Sequence, residues 1–560
     1  MKIFRPMLFS TLKKYSKEQF IKDVVSGIIV AIIALPLSIA LALASGVGPE
    51  QGLYTAIIAG FLISFFGGST VQIAGPTAAF ATIVAGIVAT SGFSGLIVAT
   101  VMAGIILIIM GVCRFGALIK FIPYTITTGF TAGIAVTILI GQLKDFFGIT
   151  YGEGVKPIET MEKVKAFFQF FTTVNPWAVA VGALCLLVLI VWPKVSKKIP
   201  GSLIAVIVGI VVVKVGKLPV NTIGDLYQIS NSLPRFAMPE ISFSLISSQI
   251  SNAFVIAVLA AIESLLSCVV ADGMVNTKHR SNTELIAQGI GNIGSALFGG
   301  IPATGAIART AANIKNGGRT PVAGMVHAIT LVLILVVLMP YAAWIPMPCI
   351  AAILFQVAYN MCQWRAFVKL CKTAPKSDIT VLVTTFVLTI AFDLVVAIEV
   401  GMVMACLLFM KRMSDETDVH GWHYVENGDE DSDLTYVPKH IRVYEISGPL
   451  FFGAAEALTE IHFKDFTKCL VLRMRAVPAI DSTAMNALEN ICDACEKRNI
   501  RLILSHVNEQ PMRAMEKAGF VDRVGRENFR PNIEAALEWA NQCANNIEED
   551  KTGIKDKSYI

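Results

Sequence analysis

A single carboxylate, Glu263, lies in the middle of an apolar segment that covers residues 252–271. At about 1.5 Å per residue, it would lie roughly 16 Å into a helix that crosses a bilayer core about 30 Å thick. A carboxylate at that depth costs free energy unless it faces a cavity, a partner or a coupling ion. We therefore predict that Glu263 serves transport. The alternative is a protonated or paired carboxyl group that only fixes helix packing.

Two short glycine-containing segments, residues 67–80 and 299–309, precede short apolar helices in the two halves of the chain. Each contains Gly-Gly, then a brief extended piece, then a start to the helix that contains Pro or Thr. Paired interrupted segments at matching positions are typical of inverted-repeat transporters and of their binding sites. The alternative is two Gly/Pro kinks that ease helix packing.

A half-helix that begins inside the membrane leaves backbone N–H groups unpaired at its first turn. The positive end of its dipole favours an anion, so two such ends would hold an anion without catalytic chemistry. Arg309 lies about five residues into the second half-helix and could add a fixed positive charge. The alternative roles for Arg309 are snorkelling to an interface or pairing with an acidic residue.

Fourteen apolar segments must position these residues. Four lysines within residues 13–22 precede the first segment, and Lys411 and Arg412 follow the last. Basic residues favour the cytoplasmic side, so both termini are predicted to be cytoplasmic and the number of crossings to be even. The segments cover residues 24–44, 52–66, 77–91, 94–112, 124–142, 176–192, 201–217, 252–271, 284–299, 304–315, 320–339, 341–358, 378–393 and 394–411.

Composition divides the 560-residue chain into a membrane part and an acidic tail. Overall, 54% of the residues are hydrophobic and 16% are charged, whereas soluble domains have about 25% charged residues. From Ser414 onward there are 17 Lys and Arg against 26 Asp and Glu, a net charge of −9, and the first 413 residues carry +14. The basic residues are scattered through short loops, which favours membrane anchoring over nucleic-acid binding. The predicted parts are a cytoplasmic N-terminus (1–19), a transmembrane domain (20–413), an acidic linker (414–436), a small cytoplasmic α/β domain (437–545) and a flexible tail (546–560).

The tail alternates predicted strands with predicted helices, which indicates a small α/β domain. Asp481 or Ser482 is predicted to cap the helix over 482–497, and phosphorylation of Ser482 or Thr483 is the functional alternative. A lone Cys-x-x-Cys in that helix is predicted to be structural, without a metal. The predicted strands cover 441–446, 469–474 and 502–505, and the helices lie near 453–461, 482–497, 510–518 and 531–541.

Motifs over residues 20–541 resemble the sulfate permease (SulP) family, the bacterial relatives of solute carrier family 26. They are ALPLSIALA at 34–42, GLY at 52–54, GPT at 75–77 and a run from Glu263 to Pro321. The resemblance implies a polytopic α-helical membrane protein with a seven-plus-seven inverted repeat, as in uracil permease. It also implies a core domain that moves against a gate domain in an elevator manner, and a homodimer in the bacterial cytoplasmic membrane. The tail resembles the family's STAS domain, whose loop at Asp481-Ser482-Thr483 is phosphorylated in related anti-sigma-factor antagonists.

The family binds its substrate between the starts of the third and tenth spans and beside the eighth. Carried over to this chain, the resemblance implies substrate-binding positions at both half-helix starts, with Glu263 as the proton-coupling residue and Ser38 and Ser267 nearby. The implied substrate-binding residues are Thr77, Ala78, Ala79, Ala303, Thr304, Gly305, Ala306 and Arg309.

Two departures from the family pattern narrow the substrate and the coupling ion. Sodium-coupled bicarbonate members have Asp where this chain has Glu263, and Glu favours coupling to H⁺. Burial favours the neutral form of a carboxyl group, so Glu263 could carry a proton and offset the charge of an incoming anion. Many sulfate-transporting members have Gln where this chain has Leu37. The chain looks closest to members that carry four-carbon dicarboxylates such as succinate and fumarate.

These observations predict a secondary active, H⁺-coupled anion transporter that is not an enzyme and needs no cofactor. The sequence has no nucleophile–base set, no metal-ligand spacing and no nucleotide-binding loop. The alternatives are a sulfate or bicarbonate transporter, or an anion exchanger or channel of the same fold. Two more distant alternatives are a nucleobase permease, which would lack the fused tail, and a membrane tether for a tail that docks a cytoplasmic protein partner.

Overall fold

The computed structural model describes residues 4–117, 123–152, 155, 157–196, 200–238, 242–392, 394–421, 437–453, 458, 461–464 and 466–553. The chain forms two compact units, Met1–Val403 and Met404–Ile560. We call them the membrane unit and the C-terminal unit and describe each by itself.

Helices account for most of the chain up to residue 415. They are α1 (Leu8–Thr11), α2 (Lys17–Ala44), α3 (Pro49–Phe66), α4 (Ala78–Val112), α5 (Tyr124–Phe147), α6 (Thr160–Gln169), α7 (Pro176–Val195), α8 (Gly201–Gly216), α9 (Ile223–Leu226), α10 (Phe243–Val275), α11 (Ser281–Leu297), α12 (Ile307–Lys315), α13 (Val322–Ala342), α14 (Met347–Cys362), α15 (Trp364–Thr373), α16 (Lys376–Ala391) and α17 (Leu394–Asp415).

Each of the fourteen predicted apolar segments corresponds to a helix. Two of them, 77–91 and 94–112, are the two arms of α4, which Gly92 interrupts with φ 67° and ψ −175°. Glycine adopts this backbone conformation without a steric penalty, so the chain bends there. Six described helices are long and apolar enough to cross a membrane, judged by length and composition, namely α2, α4, α5, α7, α10 and α13.

The order helix, helix, strand, half-helix occurs twice in the membrane unit, as α2-α3-β1-α4 and as α10-α11-β2-α12. Strand β1 (Ala74–Gly75) pairs antiparallel with β2 (Thr304–Gly305), with Ala74 opposite Gly305 and Gly75 opposite Thr304. The two interrupted segments of the sequence therefore meet at a ladder of two residues per strand, and each strand leads into a half-helix.

Helix packing sorts the membrane unit into two groups. Helices α2, α3, α4, α10, α11, α12 and α13 pack mainly on one another, and α5, α7, α8, α14 and α16 form the second group. Glycines allow close approach in the first group. A Cβ at Gly289 of α11 would lie 2.4 Å from the carbonyl oxygen of Gly104 in α4, and one at Gly291 would lie 2.5 Å from Ile63 of α3. Both interrupted segments belong to this first group, which we call the core group; the second is the outer group.

The C-terminal unit contains a five-stranded sheet in the order β3-β4-β5-β6-β7, antiparallel between β3 and β4 and parallel elsewhere. Alternate residues of β5 face opposite sides, so Leu470 and Leu472 join a core with α18, whereas Cys469 and Val471 join one with α21. The elements are β3 (Asp418–Gly421), β4 (Ile441–Ser447), β5 (Cys469–Ala476), α18 (Ser482–Lys497), β6 (Arg501–Ser505), α19 (Glu509–Lys517), α20 (Phe520–Val524), β7 (Phe529–Arg530) and α21 (Ile533–Gly553).

Sequence patterns and structure differ at two places in this unit. The predicted linker, 414–436, contains β3, an edge strand whose ordering comes from backbone pairing with β4 and not from apolar side chains. Helix α21 continues past position 545, where the predicted domain ends, to Gly553. Part of the predicted helix over 453–461, together with residues 422–436 and 554–560, lies outside the described residues.

Candidate functional site

The first half-helix places Thr77 against Glu263. Thr77 is the N-cap of α4, and its hydroxyl group does not cap the helix. Instead, Thr77 Oγ1 donates a hydrogen bond of 2.9 Å to Glu263 Oε2 on α10. This is the one hydrogen bond found for the Glu263 carboxyl among the described residues. The helix start and Glu263, which are 186 positions apart in the chain, therefore form one polar centre.

The second half-helix is held by α10 and α11. Thr304 Oγ1 and Ser264 Oγ are 2.6 Å apart, and Ser264 Oγ also accepts from the backbone N–H of Gly305 at 3.1 Å. Asn292 of α11 makes two hydrogen bonds to the backbone of Ala303, of 2.8 and 2.9 Å. Ala306 is the N-cap of α12 and has no side-chain oxygen to cap the helix. The first N–H groups of α12 are thus left available for an anion.

Arg309 is the charged group of the candidate site. Its side chain is 1% exposed, and Nη2 donates to Ser38 Oγ at 3.2 Å and to the carbonyl oxygen of Pro76 at 3.3 Å. A Cβ at Gly75 would lie only 2.3 Å from Nη1, so glycine is needed for the guanidinium to cross β1. Arg309 makes no ion pair with an acidic residue in the part of the chain that the structure describes. Within that part of the chain, the charge of Arg309 is therefore not neutralised by an acidic side chain.

The residues of the candidate site differ in how exposed their side chains are. Thr77 and Glu263 are partly exposed, whereas the other implied substrate-binding residues are buried. Ser38 and Ser267 are buried too, at 0% and 1%. Ser267 Oγ lies one helical turn beyond Glu263 and has no hydrogen-bond partner among the described residues. The structure thus shows a hydrogen bond between Ser38 and Arg309. Ser267 is near the site only because it lies one helical turn from Glu263.

Several supporting residues were missed from the sequence. Ser264 and Asn292 lie in the family-like run but were assigned no role. Thr310 accepts from the backbone N–H of Ile73 at 3.0 Å, and the Asn313 side-chain amide donates to the carbonyl oxygen of Val71 at 2.8 Å. Their signals in the sequence are their place in the family-like run and their polarity, which indicate a hydrogen-bonding role but not a partner.

Two further buried acids form what we call the anchor network, Glu284 and Asp23 with their donors. Glu284 is 1% exposed; its Oε2 accepts from the backbone N–H groups of Gly68 and Ser69, and its Oε1 accepts from the Gln288 side chain. Asp23 is fully buried. Its carboxylate accepts from the side chains of Tyr15, Gln19 and Thr320 and from the backbone N–H groups of Arg319 and Thr320.

The motifs of the tail have structural roles. Asp481 is the N-cap of α18 and accepts from the backbone N–H of Ala484 at 2.8 Å, so the capping prediction is confirmed for Asp481. Ser482 is the first helical residue and is exposed. Cys492 and Cys495 face the core of the unit, and burial raises the pKa of their thiols to about 11 and about 12. Among the described residues, no cluster of three or more His, Cys, Asp or Glu side chains could hold a metal ion.

Comparisons with known proteins identify the families that the two parts of the chain match. A family model described as "Sulfate permease family" matches residues 20–385, and one described as "STAS domain" matches residues 434–536. "Putative sulfate transporter YvdB" of Bacillus subtilis is 39% identical over 92% of this chain and 97% of its own length. "Bicarbonate transporter BicA" of Picosynechococcus is 32% identical over 92% of this chain and 94% of its own length.

Solved structures share the fold. The murine Slc26a9 anion transporter in the inward-facing state superposes with a TM-score of 0.87 at 18% identity, covering 96% of this chain and 94% of that one. The transmembrane domain of a cyanobacterial bicarbonate transporter BicA superposes with a TM-score of 0.61 at 28% identity, covering 70% and 98%. The predicted helical membrane fold with a C-terminal STAS domain is confirmed.

Proposed function

Because the chain belongs to the sulfate permease family, we propose that it is a secondary active transporter that binds a small anion between the starts of α4 and α12. The observation that carries the proposal is the meeting of two half-helix N-termini at the β1–β2 ladder, with the buried guanidinium of Arg309 beside them. Helix N-termini and an arginine without an acidic partner create a positive potential that selects anions.

Glu263 is the proposed carrier of the coupling proton. It is partly exposed, it faces the same space as Thr77, and its carboxyl has a single hydrogen-bond donor. A proton on Glu263 removes a negative charge from the place where the anion binds, so proton and anion binding favour each other. This linkage is the requirement for symport.

A four-carbon dicarboxylate such as succinate or fumarate is the proposed substrate. The half-helix starts are lined by alanines at 78, 79 and 306, and Leu37 next to Ser38 is partly exposed. The partly exposed Leu37 and the small apolar residues at the two starts suit the carbon chain of a dicarboxylate; sulfate and bicarbonate have no such chain. The relatives are named for sulfate and bicarbonate, so those anions are the alternatives for the test.

The proposed movement is of the elevator type. Both half-helices, Glu263 and Arg309 belong to the core group, which supports a substrate that travels with that group as it moves against the outer group. We further propose a homodimer in the bacterial cytoplasmic membrane with both termini cytoplasmic. Exposed Ser482, next to the Asp481 cap, is the proposed phosphorylation site, and the STAS domain is the proposed place for a cytoplasmic protein partner.

The experiment is uptake of labelled succinate into proteoliposomes that contain the full chain, under an inward proton gradient. Uptake against a concentration gradient, which collapses with a protonophore and is not inhibited by excess sulfate or bicarbonate, is the expected result. If sulfate or bicarbonate inhibits uptake, or if succinate is not taken up, the proposed substrate is wrong and the substrate is sought among those two anions. Unsaturable flux that ignores the proton gradient would contradict a coupled carrier and favour a channel.

A further inference from the structure

His327 of α13 is a buried polar residue that the proposed transport mechanism leaves without a role. Its side chain is 0% exposed, and neither ring nitrogen has a hydrogen-bond partner among the described residues. More than nine in ten buried polar groups are satisfied by protein or by ordered water. An imidazole that could be replaced by an apolar side chain of similar size therefore needs a reason to be there.

Small residues on α3 bring His327 close to Arg309. A Cβ at Gly75 would lie 2.3 Å from Arg309 Nη1 and 3.6 Å from the Cα of Ala56. A Cβ at Gly60 would lie 4.0 Å from Cδ2 of His327. Ala56 and Gly60 are one helical turn apart, about 6 Å along α3. The guanidinium of Arg309 and the ring of His327 therefore both lie beside α3, at positions about one helical turn apart.

The two side chains also complement each other chemically. Arg309 uses Nη2 to bond Ser38 and Pro76, whereas its Nε and Nη1 have no acceptor among the described residues. A guanidinium is only a donor, and a neutral imidazole has one acceptor nitrogen. An imidazolium has none. Of the two protonation states of His327, only the neutral ring has a nitrogen that can accept a hydrogen bond from Arg309.

We propose that His327 is a positioning residue for Arg309, whose neutral ring accepts, through a bound water molecule, a hydrogen bond that Nε or Nη1 provides. A buried water needs two to four polar partners, and these two side chains provide them. The water-mediated contact keeps the guanidinium against Ser38 and Pro76 and aimed at the half-helix starts. The proposal deepens the proposed function, on which it rests only for the statement that Arg309 faces the anion.

The first test needs no substrate. Thermal unfolding is measured in detergent for wild type, His327→Leu, Arg309→Met and the double variant. We expect His327→Leu to lower the Tm in the wild-type background, because Arg309 loses its acceptor, and to leave it unchanged or raise it in the Arg309→Met background. A packing role alone would lower the Tm in both. If His327→Leu yields no folded protein, recovery of the double variant supports the proposal, and failure of both overturns it.

The second test uses transport of whichever anion among succinate, sulfate and bicarbonate the wild type accumulates. His327→Leu should raise KM by about ten- to hundredfold, as for one lost hydrogen bond to a charged group, with a smaller effect on the maximal rate. His327→Gln, which keeps an acceptor, should restore most of the affinity. Thr385→Val is the matched control, because Thr385 is also fully buried with an unpartnered hydroxyl but belongs to the outer group.

Equal KM in His327→Leu and wild type, no rescue by Gln, or an equal effect of Thr385→Val would overturn the proposal. The two tests also separate it from the proposed function. One outcome is that none of the three anions is transported while His327→Leu still lowers the Tm only when Arg309 is present. In that case the transport proposal fails and the positioning role of His327 stands.

Discussion

Glu263 and Glu284 are carboxylates on two helices of the core group, α10 and α11, but the structure holds them in different ways. Glu284 is 1% exposed and accepts from two backbone N–H groups and one side-chain amide. Glu263 is partly exposed and has one donor, the hydroxyl of Thr77. Fully satisfied buried polar groups rigidify a structure, whereas one with few partners can change its charge at lower cost. The difference separates an acid that holds the fold from the one to which we assign the coupling proton in the proposed function.

The same contrast holds for the wider regions. In the anchor network, the Asp23 carboxylate accepts hydrogen bonds from three side chains and two backbone groups. In the candidate site, Arg309 has two unpartnered donor atoms and Ser267 an unpartnered hydroxyl. Substitutions in the anchor network should therefore act on stability, and those in the candidate site on transport.

Glu284→Ala should have the largest effect. It leaves the N–H groups of Gly68 and Ser69 without an acceptor and frees the loop that leads into β1, so we expect a loss of about 3 kcal/mol or more in the free energy of unfolding. Thermal unfolding in detergent measures it. Glu18→Ala is the control, since Glu18 is an exposed acid of the same core group, with a 79% exposed side chain, and should change the Tm little. Similar Tm values for both variants would mean that Glu284 does not stabilise the fold more than an exposed acid does.

Glu263→Gln should abolish proton-driven accumulation and leave the fold intact. The amide keeps the shape and can still accept from Thr77, but it cannot load and release a proton. We expect a stability change below about 1 kcal/mol, the value of one hydrogen bond. Counterflow, which needs no proton gradient, should persist. Unchanged uphill uptake would return Glu263 to a packing role. A Tm loss as large as that of Glu284→Ala would mean that both acids stabilise the fold.

Gly75→Ala should displace Arg309, because the new Cβ would lie 2.3 Å from Nη1. We expect about a tenfold higher KM for the anion, which corresponds to about 1.4 kcal/mol of binding free energy. Gly86→Ala is a matched control in the helix that follows, since a Cβ there has no neighbour within 4 Å. That variant should transport normally and be slightly more stable. Equal KM values for the two variants would mean that Arg309 does not face the anion.

Thr77→Val should have the smallest effect. It removes the one hydroxyl that bonds Glu263, and we expect proton-driven uptake to slow by roughly fivefold, equivalent to about 1 kcal/mol. Thr77→Ser retains the donor and should behave like wild type. Initial rates at a fixed proton gradient measure both. Equal slowing by Val and Ser would attribute the effect to the packing of the methyl group.

Local patterns in the sequence were sufficient for the elements and for the two half-helix starts. Apolar runs located thirteen of the seventeen described helices up to residue 415, and Gly-Gly followed by Pro or Thr located the segments that contain β1 and β2. The pairing of those strands was not predictable, since Ala74 and Gly305 are far apart in the chain and two residues carry no strand signal. Strand β3 was missed for a similar reason, because its order comes from β4 and not from its own composition.

Residue roles were harder to predict than elements. Glu263 was evident because a charge within an apolar run is rare. Asp23 was not, because it lies among polar residues at the start of α2, and its partner Thr320 is 297 positions away. His327 likewise reads as one polar residue in an apolar helix, and its relation to Arg309 exists only through the small residues of α3. Partners at long range are a property of the fold, which local composition does not encode.

The two-residue ladder between β1 and β2 also sets a condition on biosynthesis. Ala74 leaves the ribosome 231 residues before Gly305, its partner in the ladder. At about 5–20 residues per second, the first interrupted segment waits on the order of tens of seconds in the nascent protein before the second exists. During that interval, the N–H groups at the start of α4 face a place that β2 and α12 have not yet filled. A ribosome that stalls before residue 305 therefore leaves the start of α4 without the strand and the half-helix that complete this part of the fold.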